Sequence, residues 1–221
     1  MDCPILYEDR YLVVCVKPVG VLSESGGMPE LLQAQLGAER IFCVHRLDRA
    51  VSGVMVYARD GKTAAKLSEA LGSRAAAKEY LAVLPAVPEP PAGVLRDLLF
   101  HDAAKNKTYA VQRPRRGVRE AELEYETLAA APDGCVLLRV RLHTGRTHQI
   151  RAQFAARQLP LLGDRRYGSR IDCPIGLFAR QLSFPHPVTG APLTFSALPP
   201  ADTPWDRFAP ITVPLKAPLI Y

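Results

Sequence analysis

Apolar and polar positions along this chain fall into short runs, some alternating with the period of a strand and others spaced for one face of a helix. Ile5 to Tyr7 and Tyr11 to Val16 read as two strands joined by the tight turn Glu8-Asp9-Arg10 and stopped at Lys17-Pro18. Met28 to Leu36 has Pro29 near its start and Gly37 just past its end, which predicts a short helix. Val54 to Tyr57 is an unbroken apolar run and predicts a buried strand. Asp60 is placed to cap a helix over Gly61 to Leu71, with Ala64, Leu67 and Leu71 on one stripe and Gly72 closing it. Glu79 to Leu84 predicts a further strand.

The segment from Pro85 to Gly93 is rich in proline and reads as a stiff surface connection. Beyond it, Leu123 and Tyr125 alternate with Glu122, Glu124 and Glu126, while Val136, Leu138, Val140 and Leu142 alternate with Arg139, Arg141 and His143. Pro132-Asp133-Gly134 would join these two strands as a hairpin, which would set Arg139 and Arg141 against the glutamates as cross-strand partners. Thr147 is placed to cap a helix running to Arg157, with Ile150 and Phe154 on its inner side. Phe184 to Gly190 and Leu193-Thr194-Phe195 read as a turn between strands, followed by a proline-rich tail. No internal repeat or low-complexity tract interrupts the pattern. These elements predict an α+β fold in one domain spanning residues 1–221.

Composition narrows the class of partner. The 221 residues carry 28 Lys and Arg against 22 Asp and Glu, a formal charge of +6 that suits a polyanion without requiring one. The five cysteines are scattered, odd in number and never spaced as C-x-x-C, so neither a disulfide framework nor a zinc cluster is expected, and a reducing cytoplasm is the simplest setting. The first residues are acidic, with no basic-then-apolar leader, and no apolar run reaches membrane-spanning length.

The chemistry concentrates in two segments. His45-Arg46-Leu47-Asp48-Arg49-Ala50-Val51-Ser52-Gly53 puts one carboxylate between two arginines in a polar turn flanked by apolar runs, a setting that suits a site wall. Thr144-Gly145-Arg146-Thr147-His148-Gln149-Ile150-Arg151 supplies further cationic and amide groups. Other motifs fail. Gly61-Lys62-Thr63 ends like a phosphate-binding loop, but Val56 stands where that loop needs a glycine. The kinase glycine loop and the hydrolase nucleophile elbow are absent. His143 and His148 do not share a helical face, and nothing completes a metal set.

Taken together, the segments resemble the RluA family of RNA pseudouridine synthases. That family's strings H-R-L-D-x-x-T-S-G, K-x-Y, T-G-R-T-H-Q-I-R, G-D-x-x-Y-G and H-P-x-T-G are matched in order by His45 to Gly53, Lys78 to Tyr80, Thr144 to Arg151, Gly163 to Gly168 and His186 to Gly190. The chain departs from the pattern at Val51, where the family usually has Thr, at Val16 before Lys17-Pro18, and at Phe178, a position commonly His.

The resemblance implies a mixed, mainly antiparallel central sheet flanked by helices and loops, with an RNA-binding cleft across the sheet and no S4-like module in front. It implies cleavage of the uridine N1–C1′ bond, rotation of the base and rejoining through C5, with no metal or organic cofactor. Asp48 would be the catalytic carboxylate, attacking sugar or base or taking a sugar proton, and those routes stay open. Arg146 would keep Asp48 ionised through bidentate hydrogen bonds, the other reading being an arginine on phosphate or solvent. Tyr80 would stack on the base and take the C5 proton, the other reading being a core strand residue. The base must be unstacked first. Arg46 would fill the gap it leaves, unless it forms an internal salt bridge. His45, Arg49, Lys17, Arg151, Arg165 and Arg166 complete the expected RNA-binding set, His45 being the one whose part is more structural. The expected partner is a tRNA or rRNA stem-loop, met by a monomer with no obligate protein partner. A non-catalytic RNA-binding protein on the same scaffold is the alternative.

Overall fold

The computed structural model describes residues 2–208. They form two compact units, one of residues 2–78 and Phe178–Pro199, the other of Glu79–Leu177 and residues 200–208.

In the first unit the strands β1 (Ile5–Glu8), β2 (Leu12–Lys17), β4 (Ser52–Ala58) and β10 (Leu177–Pro185) lie side by side in that order; β3 (Phe42–Cys43) adds to β4 and β11 (Pro192–Ser196) to β10. Every pairing is antiparallel except β4 with β10, which run parallel. The register of that parallel pair explains Gly53. A Cβ there would lie 2.2 Å from the Ala179 carbonyl oxygen, and φ is +133°, so both space and backbone require glycine.

Helix α1 (Met28–Leu36) carries Pro29 in its first turn and is closed by Gly37 in the left-handed region, as its sequence predicts. Helix α2 (Gly61–Gly72) is capped by Asp60, whose carboxylate accepts the Thr63 N–H at 2.9 Å. Its buried stripe is Thr63, Leu67 and Leu71, with Ala64 half-buried beside it, and Leu67 and Leu71 pack on Leu12, Val14, Val56 and Phe184. Gly72 is the last helical residue and Ser73 the cap, one position beyond the expected stop.

The second unit orders β5 (Ala77–Leu84), β9 (Val136–Leu142), β8 (Val118–Ala130), β6 (Ala92–Asp102) and β7 (Lys107–Val111). The expected hairpin is β8 with β9, and it places Glu124 opposite Arg141 and Glu126 opposite Arg139. Arg139 pairs with Glu126, and Arg141 reaches Glu79 at 3.3 Å, so these arginines are sheet partners. Strands β6 and β7 are additions to the sequence reading. In β6 every fourth residue, Leu95 and Leu99, turns into the core, while Val94 and Arg96 face out.

Helix α3 (Gln149–Ala155) packs Ala152 against Leu99, Ala121 and Tyr167. The expected Thr147 cap is not formed. His148 precedes the helix in a left-handed conformation, and the helix ends before Arg157. Its anchor lies on the other side: Gln153 donates to the Leu95 carbonyl at 3.2 Å and to Asp97 at 2.7 Å, and Arg157 adds a bond to Asp97.

Candidate active site

In the first unit the Asp48 turn is fixed by backbone bonds on both sides. The Val51 N–H donates to the Asp48 carbonyl at 2.9 Å, which closes a tight turn. Just upstream, the Ser23 hydroxyl donates to the Leu47 carbonyl at 2.8 Å and accepts the Leu47 N–H at 3.0 Å. Downstream, the Gly20 N–H donates to the Arg49 carbonyl and Arg49 Nε returns a bond to the Gly20 carbonyl, each at 2.8 Å. Leu47 points into the core, and Asp48, the next residue, is left half-buried with its carboxylate on a backbone that has little freedom.

Lys17 lies beneath this turn. It is fully buried, and its ammonium donates to the carbonyls of Pro18, Val21 and Arg49 at 2.9, 2.8 and 3.4 Å. Burial lowers its pKa to about 8, partly opposed by the negative charge of Asp48, so it is a cation at neutral pH. The expectation of a phosphate contact is corrected here. Lys17 shapes the turn and holds a positive charge near Asp48.

His45 is likewise a structural group. Its Nε2 accepts the Val56 N–H at 3.1 Å, and burial followed by the Lys78 ammonium lowers its pKa to about 3. The ring is neutral and gives RNA no cation. Arg46 and Arg49 are exposed; Arg46 pairs with Glu24 at 3.4 Å.

In the second unit Tyr80 is half-buried on β5. Arg146 is exposed at the end of a turn that Gln149 builds. The Gln149 side chain accepts from the Thr144 hydroxyl at 2.8 Å and from the Arg146 N–H at 2.9 Å, and donates to the Glu122 carbonyl at 3.0 Å. Arg146 Nε donates to the Glu120 carbonyl at 2.8 Å, so the guanidinium leaves the turn in a set direction. The segment that holds Thr144 and Gln149 stands out in the sequence, but the part these two side chains play in shaping the turn does not. Their roles need Glu122, distant along the chain, and no local pattern announces it.

Arg151 departs from the expected phosphate contact. It is buried and forms a bidentate pair with Asp164, Nε to Oδ2 at 2.7 Å and Nη2 to Oδ1 at 2.8 Å, with its guanidinium 5.0 Å from the Tyr167 ring centre. The last residue of T-G-R-T-H-Q-I-R therefore meets the Asp and Tyr of G-D-x-x-Y-G, and neither reaches for phosphate. Arg165 and Arg166 stay on the surface, Arg165 beside Asp172 at 2.5 Å and Arg166 on the carbonyls of Lys105 and Asn106.

His186, in the first unit, carries the last string. Its Nδ1 accepts the N–H groups of Val188 and Thr189, so Nε2 bears the proton and donates it to Asp9 at 2.9 Å. Burial raises the Asp9 pKa, but the N–H groups of Leu12 and Tyr11, His186 and the Tyr7 hydroxyl outweigh it and hold the carboxyl below its usual range. The opening Tyr-Glu-Asp and the late His-Pro are thus one hydrogen-bonded unit. Among the described residues no group of three His, Cys, Asp or Glu side chains is placed to hold a metal, and no helix is long and apolar enough to cross a membrane.

The comparisons with known proteins decide what this scaffold is. A family model described as RNA pseudouridylate synthase matches residues 11–156. The chain belongs to the RluA family of RNA pseudouridine synthases. It is 34% identical over 212 residues to the dual-specificity RNA pseudouridine synthase RluA of Escherichia coli (strain K12), with 90% of this chain and 93% of that one covered. It is also 34% identical to the ribosomal large subunit pseudouridine synthase D of Xanthomonas campestris pv. campestris, with 90% and 66% covered. Among solved structures, human RNA pseudouridylate synthase domain containing 4 superposes with a TM-score of 0.75 at 27% identity, covering 89% of this chain and 88% of that chain. The enzyme isomerises uridine to pseudouridine in RNA, on a mixed, mainly antiparallel α+β fold.

Proposed function

We propose that this synthase modifies particular uridines in a tRNA or rRNA stem-loop, acting as a monomeric single-domain enzyme of the cytoplasm with Asp48 as the reacting carboxylate. The observation that carries the assignment is the Asp48 turn itself. Its neighbours on both sides are tied to the 17–23 segment by backbone and hydroxyl bonds, which hold the half-buried Asp48 in place above the buried Lys17 ammonium. A group that must meet one atom of a rotating base gains from such preorganisation, because little ordering remains to be done at the transition state.

The remaining roles follow from chemistry and family pattern. Arg146 keeps a catalytic carboxylate ionised once RNA excludes water, and unlike lysine it stays charged when desolvated. Tyr80 offers a flat face to the uracil and a hydroxyl within reach of the C5 proton, which must leave before the product is aromatic. Arg46 occupies the stack that the base vacates, exchanging its exposed pair with Glu24 for the RNA. Arg49, Arg165 and Arg166 supply phosphate contacts, which add affinity and little sequence choice. The reaction needs no redox change and no energy input, and the proposal includes no metal or cofactor.

Carbodiimide mapping of pseudouridines in cellular RNA tests this directly. Cells deleted for the gene should lose one or a few sites in tRNA or rRNA, and complementation with wild type, not with Asp48→Asn, should restore them. Restoration by Asp48→Asn would overturn the assignment of Asp48.

A further inference from the structure

The second unit contains a cleft of about 200 Å³ that none of the assignments above uses in full. Leu99 and His101 of β6, Thr108 of β7, Arg119 of β8 and the Gly145–Thr147 turn line it, with Gly117 at the rim. Two of these residues, Arg119 and Arg146, are exposed arginines, and no carboxylate is among the lining groups. Two guanidiniums around one opening repel each other unless an anion lies between them, and each can present a flat pair of donors to a phosphate.

The floor of the cleft is set by hydrogen bonds whose directions can be deduced. The Thr108 hydroxyl has one proton, given to the Thr147 carbonyl at 2.8 Å, so at 3.0 Å it accepts from His101 Nδ1. His101 therefore carries its proton on Nδ1 when neutral, and Nε2 is left as an acceptor that no described residue engages. The Thr108 N–H donates to the Tyr167 hydroxyl at 2.8 Å, which ties this floor to the Arg151–Asp164 pair. Gly117 and Gly145 leave open space beside the cations, and Leu99, otherwise buried in the core, closes the wall behind them. Cations at the mouth, one ring acceptor and a small apolar wall match a single nucleotide and its phosphate.

We propose that this cleft binds one nucleotide of the RNA substrate flanking the target uridine, with Arg119 as a phosphate ligand beside Arg146. No motif in the sequence marks Arg119, and its role rests on the reading of this chain as an RNA-modifying enzyme. The subsite makes target choice depend on the backbone path next to the flipped base, because a strand that cannot place a phosphate here loses one of its contacts.

The test compares wild type, Arg119→Gln and Arg119→Lys on bulk RNA tritiated at uridine C5, with thermal melting as the folding control. Arg119→Gln should raise KM roughly five- to tenfold with kcat nearly unchanged. It should also lower the slope of log affinity against log salt by about 0.7, the share of one single-stranded phosphate. Arg119→Lys should keep the salt slope. Equal KM and equal slope for wild type and Arg119→Gln would overturn the subsite while leaving the isomerase reading intact. A fall in kcat with KM unchanged would also overturn it, by placing Arg119 in the chemical step. If wild-type protein released no tritium from any RNA pool, the underlying assignment of function would fail instead.

Discussion

Arg151 and Lys17 show what a basic residue in a motif can mean. Both carry charge, and both stand in strings that suggest nucleic acid, yet each is buried and has its donors on protein oxygens. A buried pair such as Arg151–Asp164 is strongly felt when one partner is removed, because the other charge is left without compensation. Asp164→Asn should therefore destabilise the fold by about 3–5 kcal/mol in urea unfolding, whereas an exposed change such as Arg166→Ala should cost under about 0.5 kcal/mol. A small effect of Asp164→Asn would mean that Arg151 finds water or RNA and that the pair is not structural.

His45 gives the molecule a pH dependence with a definite sign. Unfolded, it binds a proton near pH 6.5; folded, not until about 3. The stabilisation of the neutral ring is present above pH 6.5 and is lost as pH falls from there toward 3, by up to roughly 1.4 kcal/mol per pH unit. Asp9, with its lowered pKa, contributes stability above the carboxylate range and loses it only at lower pH, and within the interval from pH 4.5 to 6.5 the part of the curve that changes when His45 alone is substituted is this ring's own. His45→Gln, which can still accept the Val56 N–H, should flatten the stability curve in that interval. An unchanged curve would show that the ring protonates in place.

Elements were legible in the sequence where the determining groups are local. Helices α1 and α2 announce themselves through Pro29, Gly37 and the Asp60 cap, and the β8–β9 hairpin through strict alternation around Pro132-Asp133-Gly134. The start of α3 was misplaced because its loop is organised by Gln149 on the Glu122 carbonyl, a contact that sequence spacing cannot show. Strand β6 is hidden in the sequence for a different reason: Val94 is 44% exposed and Leu95 buried, so apolar residues occupy both faces and the alternation of apolar with polar is blurred. At this scale Gly53 is the sharpest test. Its Cβ would strike the backbone of Ala179, so Gly53→Ala should force β4 and β10 apart and cost about 3 kcal/mol or more. A variant with wild-type stability and activity would show that the parallel pairing tolerates separation.

At the scale of the whole molecule, the five motif strings serve two purposes that the sequence does not separate. His186 with Asp9 and Arg151 with Asp164 close the fold, while Asp48, Arg46, Arg146 and Tyr80 keep exposed or half-exposed groups. The family could be read from the strings, but the division of labour needed the burial of each residue. The surplus of six positive charges belongs to this scale as well. Arg165→Ala should weaken RNA binding a few-fold at low salt and reduce the salt slope by about 0.7–0.9, with the rate at saturation preserved; a filter-binding series across salt concentrations would show it.

The most direct measurement is single-turnover tritium release from C5-labelled uridine RNA by wild type and Asp48→Asn, with RNA affinity measured on the same preparations. The substitution keeps the shape of the turn and removes the charge, so release should fall more than about a thousandfold while affinity stays within a few-fold. Release by Asp48→Asn at the wild-type rate would contradict the account.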